Sequence, residues 1–304
     1  MKKKLIPYIF WGISLLILSC SDDDGRLPHR DDFEPCRFDF PQGTSAADKE
    51  IQRIHEETGA YIIYKNITSK DLNRNWIDPG STSFVGTPIE EKDLSFYLDF
   101  LNRNLLKYVE GKYLKNSLPV YFYLLQRLES VKGNRPTVVD LKTNGLDFWA
   151  FGMSVEEIKV FSSVERANLR NRMVYPVLRA LVEKGIITAP DEFSAGINYE
   201  TAITKTPTTS TGGKDKNYYR YRGFVDFVDD VSFDGTEVPM ISMVKKNNAD
   251  LLSYIRIALY YSEQEFLEEY PQATFSLIYD RYQIITSYLK KTYDVDLKHI
   301  SSAE

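Results

Sequence analysis

Imidazole nitrogens are the usual zinc ligands and general bases of proteins. This chain holds three: His29, His55 and His299. His29 stands in an Asp- and Pro-rich stretch near the start, and His299 lies close to the C-terminus. His55 is followed by Glu56, which invites a metal-helix reading. A His-Glu-x-x-His helix sets its imidazoles one turn apart, so that both reach one ion. The second would fall on Gly59, so His55 reads instead as a surface histidine on an amphipathic helix. Two cysteines, Cys20 and Cys36, exclude a cysteine-rich zinc site. The sequence contains no G-x-S-x-G elbow, no Walker-type loop and no G-x-G-x-x-G. The adjacent acids Glu156/Glu157 and Asp229/Asp230 read as solvated pairs. A carboxylate glycosidase would need two acids facing each other across about 5–9.5 Å, which sequence spacing does not encode.

The most distinctive polar-aromatic run is Tyr218-Tyr219-Arg220-Tyr221-Arg222. Exposed tyrosines offer flat apolar faces with a hydroxyl edge, suited to stacking on sugars or anchoring a protein partner. The alternation fits a half-buried strand with arginines outward better.

These side chains sit in a chain of 304 residues, 43% apolar, 13% aromatic and 27% charged. That composition excludes a disordered, collagen-like or disulfide-scaffold protein. A net charge of −5 without a basic cluster argues against nucleic-acid binding. Residues 1–19 have a class of their own. Lys2, Lys3 and Lys4 precede a 14-residue apolar run, LIPYIFWGISLLIL, and then Ser19-Cys20. A basic start, a short apolar core and a small residue before the cut read as a secretory signal peptide rather than a membrane span. Ile17-Leu18-Ser19-Cys20 resembles a bacterial lipobox, with Cys20 the lipidated first residue of the mature chain. Removing the signal takes three lysines and no acid, leaving 35 basic and 43 acidic residues and a net charge of −8. Residues 20–44 read as an acidic tether to the membrane. Cys36 is then left as the second cysteine beside a lipidated one, so the exported domain relies on its core rather than on an internal disulfide.

The mature chain reads as one α+β domain over 45–304. A helix from Ala46 to Thr58 should end at Gly59, and a strand should follow over 60–64. Residues 66–90 read as a long loop. Apolar residues from Leu94 to Leu106 recur at helical spacing within 91–108. Strands are expected at 120–128, 137–141 and 146–151. Helices follow over 154–183, 248–261, 263–269 and 275–293. The Thr/Ser/Gly-rich interval 201–216 reads as a surface loop. The architecture expected is a small N-terminal sheet with a mostly helical C-terminal half.

Several separated segments resemble one family, the substrate import-associated zinc metallohydrolase lipoproteins. They are the lipobox with its acidic tether, and a first helix leading into Gly59-Ala60-Tyr61-Ile62-Ile63-Tyr64-Lys65. Next comes the step Pro190-Asp191-Glu192-Phe193, followed by Tyr199. The last are Gly223-Phe224-Val225, the Asp250-Leu251 helix, and the closing pattern from Tyr288-Leu289-Lys290 to Asp294-Val295-Asp296-Leu297. Together they span most of 45–298. The resemblance implies a zincin-like fold and a lipid-anchored position on the outer membrane, facing the exterior. The implied partners are an outer-membrane importer and its substrate-binding lipoprotein, and the implied ligand is a polysaccharide or a peptide.

The family's metal motif is missing. If Tyr175 takes the first histidine position, Pro176 replaces the base glutamate and Arg179 the second histidine. No histidine lies anywhere from 56 to 298, and Ala249-Asp250-Leu251-Leu252-Ser253 lacks the family's glutamates on the later helix. Arginine stays protonated and repels a dication. The reading is therefore of no catalytic residue, no metal and no cofactor. Tyr175, Arg179, Tyr199, Tyr218, Tyr219, Tyr221 and Arg222 are the candidate ligand-binding residues of a non-catalytic accessory protein. Two other classes compete with it: a hydrolase with a divergent active site, marked by acids clustered in a cleft, and an assembly lipoprotein, marked by a filled cleft and an exposed apolar patch.

Overall fold

In a computed structural model the chain is described over residues 36–74, 82–133, 135–204, 216–226 and 248–301. The signal segment, Cys20, Asp229, Asp230 and residues 205–215 of the expected surface loop lie outside these. Two units divide the chain, one over residues 1–39 and one from Phe40 to Glu304. In the first, the described residues 36–39 carry no helix or strand. No described helix is long and apolar enough to cross a membrane.

The second unit starts at Phe40. The Gln42 side chain accepts from the backbone N–H groups of Tyr64 and Lys65 at 2.8 and 2.9 Å, which fixes the entering chain to the first strand. Helix α1 (Ala46–Thr58) opens with a Ser45/Asp48 capping box and closes on Gly59 at φ 69, as its sequence dictates. Ile51 and Ile54 are its buried stripe. Strand β1 (Tyr61–Ile63) follows.

The interval 66–90 is not one loop. It contains α2 (Ser69–Leu72) and the seven-residue strand β2 (Thr82–Pro88). β2 exposes alternate residues, including Val85, so it carries no apolar run to announce it. A Cβ on Gly86 would lie 2.8 Å from Leu125 Cδ1 and 3.2 Å from the Arg127 carbonyl, so the glycine there serves close packing rather than a turn.

Helix α3 (Leu94–Asn104), flanked by short 3₁₀ turns, and α4 (Gly111–Ser117) lead into β3 (Tyr121–Lys132). β3 is the hub of a six-stranded sheet. It pairs in parallel with β1, Tyr61 opposite Tyr121, and with β6 (Phe148–Gly152), Phe122 opposite Trp149. Its outer half pairs antiparallel with β2 and with β4 (Arg135–Val138). The two-residue β5 (Leu141–Lys142) pairs antiparallel with β6 at the sheet edge. Alternation then decides the faces. Phe122, Leu124, Trp149 and Phe151 enter the helical core. Tyr61, Tyr121, Tyr123 and Phe148 stack on the other face, with successive ring centroids 5.0 to 6.1 Å apart.

The rest is helical: α5 (Val155–Lys159), α6 (Ser163–Glu183), α7 (Asp191–Ser194), α8 (Ala249–Tyr260), α9 (Glu263–Glu269), α10 (Ser276–Tyr293) and α11 (Leu297–Ser301). A Ser–Glu capping box starts each of α5, α6 and α9. Helices α6, α8 and α10 bury Leu178, Ile255 and Ile285 in one core. The fold is α+β: every described strand lies before α5, interleaved with helices α1 to α4, and the described elements after it are helical.

The run Tyr218–Arg222 is not a strand. Tyr219–Arg222 form a 3₁₀ turn closed by Gly223 at φ 82. Only Tyr218 keeps a β-type bridge, to Thr204.

Candidate functional site

Helix α6 carries the three positions aligned with the metal motif. It runs unbroken through Pro176, which removes one intrahelical donor. Tyr175 is buried, 7% exposed, and the Arg256 guanidinium of α8 lies 5.9 Å from its ring centroid. Arg256 also covers Tyr260, at 5.5 Å. Pro176 is half-buried and has no donor atom to offer a metal. Arg179, half-buried, donates from Nε to Glu183 at 2.7 Å.

Two turns before Arg179 on α6, Arg172 forks onto Asp140 with Nη1 and Nη2 at 2.6 and 2.7 Å. Asp140 immediately precedes β5, so this pair ties α6 to the sheet edge. Burial pushes the Asp140 carboxyl up, but the hydrogen bonds and charge of Arg172 outweigh it and hold the group below its ordinary range. A zinc site needs converging deprotonated ligands. Tyr175, Pro176 and Arg179 do not fit that need. Among the described residues no group of three His, Cys, Asp or Glu side chains converges to hold a metal ion.

A second constellation lies between α8 and α10. Asp250 and Arg281, each 3% exposed, form an ion pair through Arg281 Nη2. Tyr199 donates its hydroxyl to Asp250 Oδ2 at 2.6 Å and accepts from Arg281 Nη2 at 3.1 Å. Arg281 also donates to the Phe193 carbonyl at 2.9 Å and to that of Gly223, while Tyr254 donates to Gly223 at 2.7 Å. The guanidinium sits 4.0 Å from the Phe193 ring centroid. Every strong polar atom here is answered from within the chain, which is how a buried pair avoids a large desolvation penalty. Burial raises the Tyr199 and Tyr254 phenols above their ordinary range, so both stay protonated donors.

The remaining candidates have internal duties too. Tyr219 is buried and donates to Asp226, and burial, with Asp226 next, raises its phenol. Arg220 bridges Tyr219, Asp226 and Glu269. Arg222, half-buried, donates to the carbonyls of Asn198 and Thr201, and burial lowers its pKa. Tyr218 and Tyr221, half-buried, lie edge to face at 5.4 Å, and Tyr221 lies 5.5 Å from Phe275. Tyr199, Tyr218 and Tyr219 share one small cluster with Ile203, Phe224 and Ala249. Tyr175 belongs to the main core instead.

His55 is half-buried, its ring stacked 4.1 Å from that of Tyr61 and edge-on to Phe40 at 5.1 Å, so it packs rather than stands free on the surface. Glu157 accepts from Ser154 in a capping box, which gives one acid of the Glu156/Glu157 pair a structural task.

Arg281 is the polar residue the sequence reading passed over. Its signal is a lone arginine on the apolar stripe of α10, between Ile278 and Ile285. Asp250, just before Leu251 and Leu252, is its counterpart.

No family model matches the chain, and no curated protein matches it. Its fold is similar to a solved structure from Bacteroides caccae ATCC 43185, described as a "putative zinc-binding metallo-peptidase". The match has 14% identity and a TM-score of 0.44, and covers 85% of this chain and 91% of that one.

Proposed function

We propose that this chain is a lipoprotein held by Cys20 in the outer membrane, facing the exterior. It binds a polysaccharide or peptide beside a nutrient importer and does not hydrolyse it. The sequence resemblance supports the location and the zincin-like ancestry. One observation carries the non-catalytic reading: where the resemblance calls for imidazole, carboxylate and imidazole, α6 presents Tyr175, Pro176 and an Arg179 paired to Glu183. A fixed cation at that position opposes a divalent metal electrostatically.

The deciding experiment is the metal content of the purified 20–304 chain after mild dialysis, by inductively coupled plasma mass spectrometry. Zinc far below one per chain is expected. One tightly held zinc per chain overturns the reading. The anchoring claim has its own test. Cys20→Ser should move the protein from the membrane fraction to the soluble fraction, and unchanged membrane partition sinks it.

A further inference from the structure

The connection between β5 and β6 holds the chain's one Asn-Gly step, Asn144-Gly145. Packing demands the glycine. A Cβ there would lie 2.5 Å from the Phe148 carbonyl oxygen and 2.5 Å from its ring Cδ1. The asparagine before it is exposed to solvent. A side-chain amide is an electrophile, and the backbone nitrogen of the next residue is a nucleophile tethered to it. Closing the five-membered ring between them needs three things: an unspent nitrogen, an unhindered approach and a polarised carbonyl.

The bend meets all three. Leu146 donates its N–H to the Arg74 carbonyl at 2.8 Å, and Arg74 pairs with Asp147 at 3.1 Å, which holds the far side of the bend. Among the described residues the Gly145 N–H has no acceptor. Its Cα has no branch to block the approach. Lys142 polarises the carbonyl, because its Nζ donates to Asn144 Oδ1 at 2.6 Å. The ammonium thus stands where negative charge grows as the ring closes, which is the arrangement of an oxyanion hole. Lys142 is 4% exposed, and burial lowers its pKa, so it gives up a proton more readily than a surface lysine.

We propose that Asn144 is a site of self-modification, in which Lys142 assists closure onto the Gly145 nitrogen and the amide becomes aspartate and isoaspartate. Hydroxide takes the Gly145 N–H proton, and the nitrogen forms a bond to Asn144 Cγ. The bond from Cγ to Nδ2 then breaks. The amide nitrogen leaves as ammonia with a proton from Lys142, which water replaces. A further water opens the succinimide at either carbonyl, and no oxidant or reductant takes part. The aspartate carboxylate lies beside the Lys142 ammonium as a counter-ion, while isoaspartate lengthens the connection by a backbone carbon. The site stands independently of the zinc argument and of the importer role.

The test is peptide mapping by mass spectrometry of the folded 20–304 chain, sampled over days at neutral pH. Electron-transfer fragmentation separates isoaspartate from aspartate, and Asn144→Asp supplies the aspartate reference. Asn116-Ser117 is the comparison within the same molecule: Asn116 is also exposed, but Ser117 lies in the last turn of α4. Asn144 is expected to convert about tenfold faster than Asn116 or more, and Lys142→Met to slow it about tenfold. Hydrogen exchange at the Gly145 amide reads the mobility of the bend separately and should differ much less between parent and variant. Retention of the Asn144 amide, or conversion no faster than at Asn116, overturns the proposal. So do equal rates in parent and Lys142→Met, and so does a slowing matched by an equal fall in Gly145 exchange.

Discussion

Arg281 of α10 reaches across to Asp250 at the first turn of α8, and both side chains are 3% exposed. This pair joins two helices through a shared tyrosine hydroxyl, that of Tyr199. Removing one partner strands a buried charge. Arg281→Ala is therefore expected to lower unfolding free energy by about 3–5 kcal/mol. Denaturant unfolding followed by circular dichroism measures it. The double change Asp250→Leu with Arg281→Met should lose much less, and equal loss in both variants would show that packing rather than charge is at stake.

Asp140 and Arg172 give a pH signature. The Asp140 carboxyl binds its proton more weakly in the folded chain than its ordinary value near 3.9, so unfolding takes up a proton as the medium turns acid. Its contribution is complete above about pH 5 and is lost as pH falls through the lowered folded value. Both partners are partly exposed, so the pair contributes no more than about 1 kcal/mol. Urea midpoints between pH 6 and pH 3 should fall less steeply for Asp140→Asn than for the parent. Parallel slopes would remove the pair from the acid response.

Lys142 titrates in the opposite sense. It is 4% exposed on β5, donates to Asn144 Oδ1 at 2.6 Å and lies 4.3 Å from the Phe84 ring centroid. Burial lowers its pKa. The folded chain thus holds that proton less tightly than the unfolded chain, and the burial penalty shrinks as pH rises towards the ordinary lysine value near 10.4. Lys142→Met should raise the melting temperature at pH 7, and the gain should narrow by pH 10. A lower melting temperature at pH 7 would mean that the ring and amide contacts outweigh desolvation.

Gly152 sits where β3 passes from pairing with β6 to pairing with β4. A Cβ there would meet Leu128 Cβ at 2.3 Å, Leu128 N at 2.8 Å and the Val139 carbonyl at 2.9 Å. Two of those three atoms are backbone and cannot swing aside. Gly152→Ala should destabilise by about 1–3 kcal/mol or abolish folding, read as loss of soluble yield or a lower denaturant midpoint. A parent-like midpoint would mean that the two strands can part there.

Local chemistry made some elements legible. Gly59 closes α1 in the sequence as it does in space, while the Ser45–Asp48 box that opens the helix is seen in the fold. The 263–269 helix carries its Ser262–Glu265 box in plain view. β2 escaped notice because its burial comes from pairing with β3, not from an apolar run of its own. The Tyr218–Arg222 alternation misled because a 3₁₀ turn also turns side chains to different sides, and Gly223 was the punctuation that mattered. The Asp250–Arg281 pair joins residues 31 apart, and nothing local marks two charged residues on apolar helices as partners.

The shortness of β5 limits how a guest chain can be read. An extended peptide that joins a sheet gains affinity mainly from a ladder of main-chain hydrogen bonds along an exposed edge. Two paired residues, Leu141 and Lys142, provide too brief a ladder for that mode, and the Asp140–Arg172 clasp holds the segment just before them against α6. A guest strand is therefore not expected to lengthen the sheet at this border, and the edge that β5 forms is closed to pairing by its own brevity.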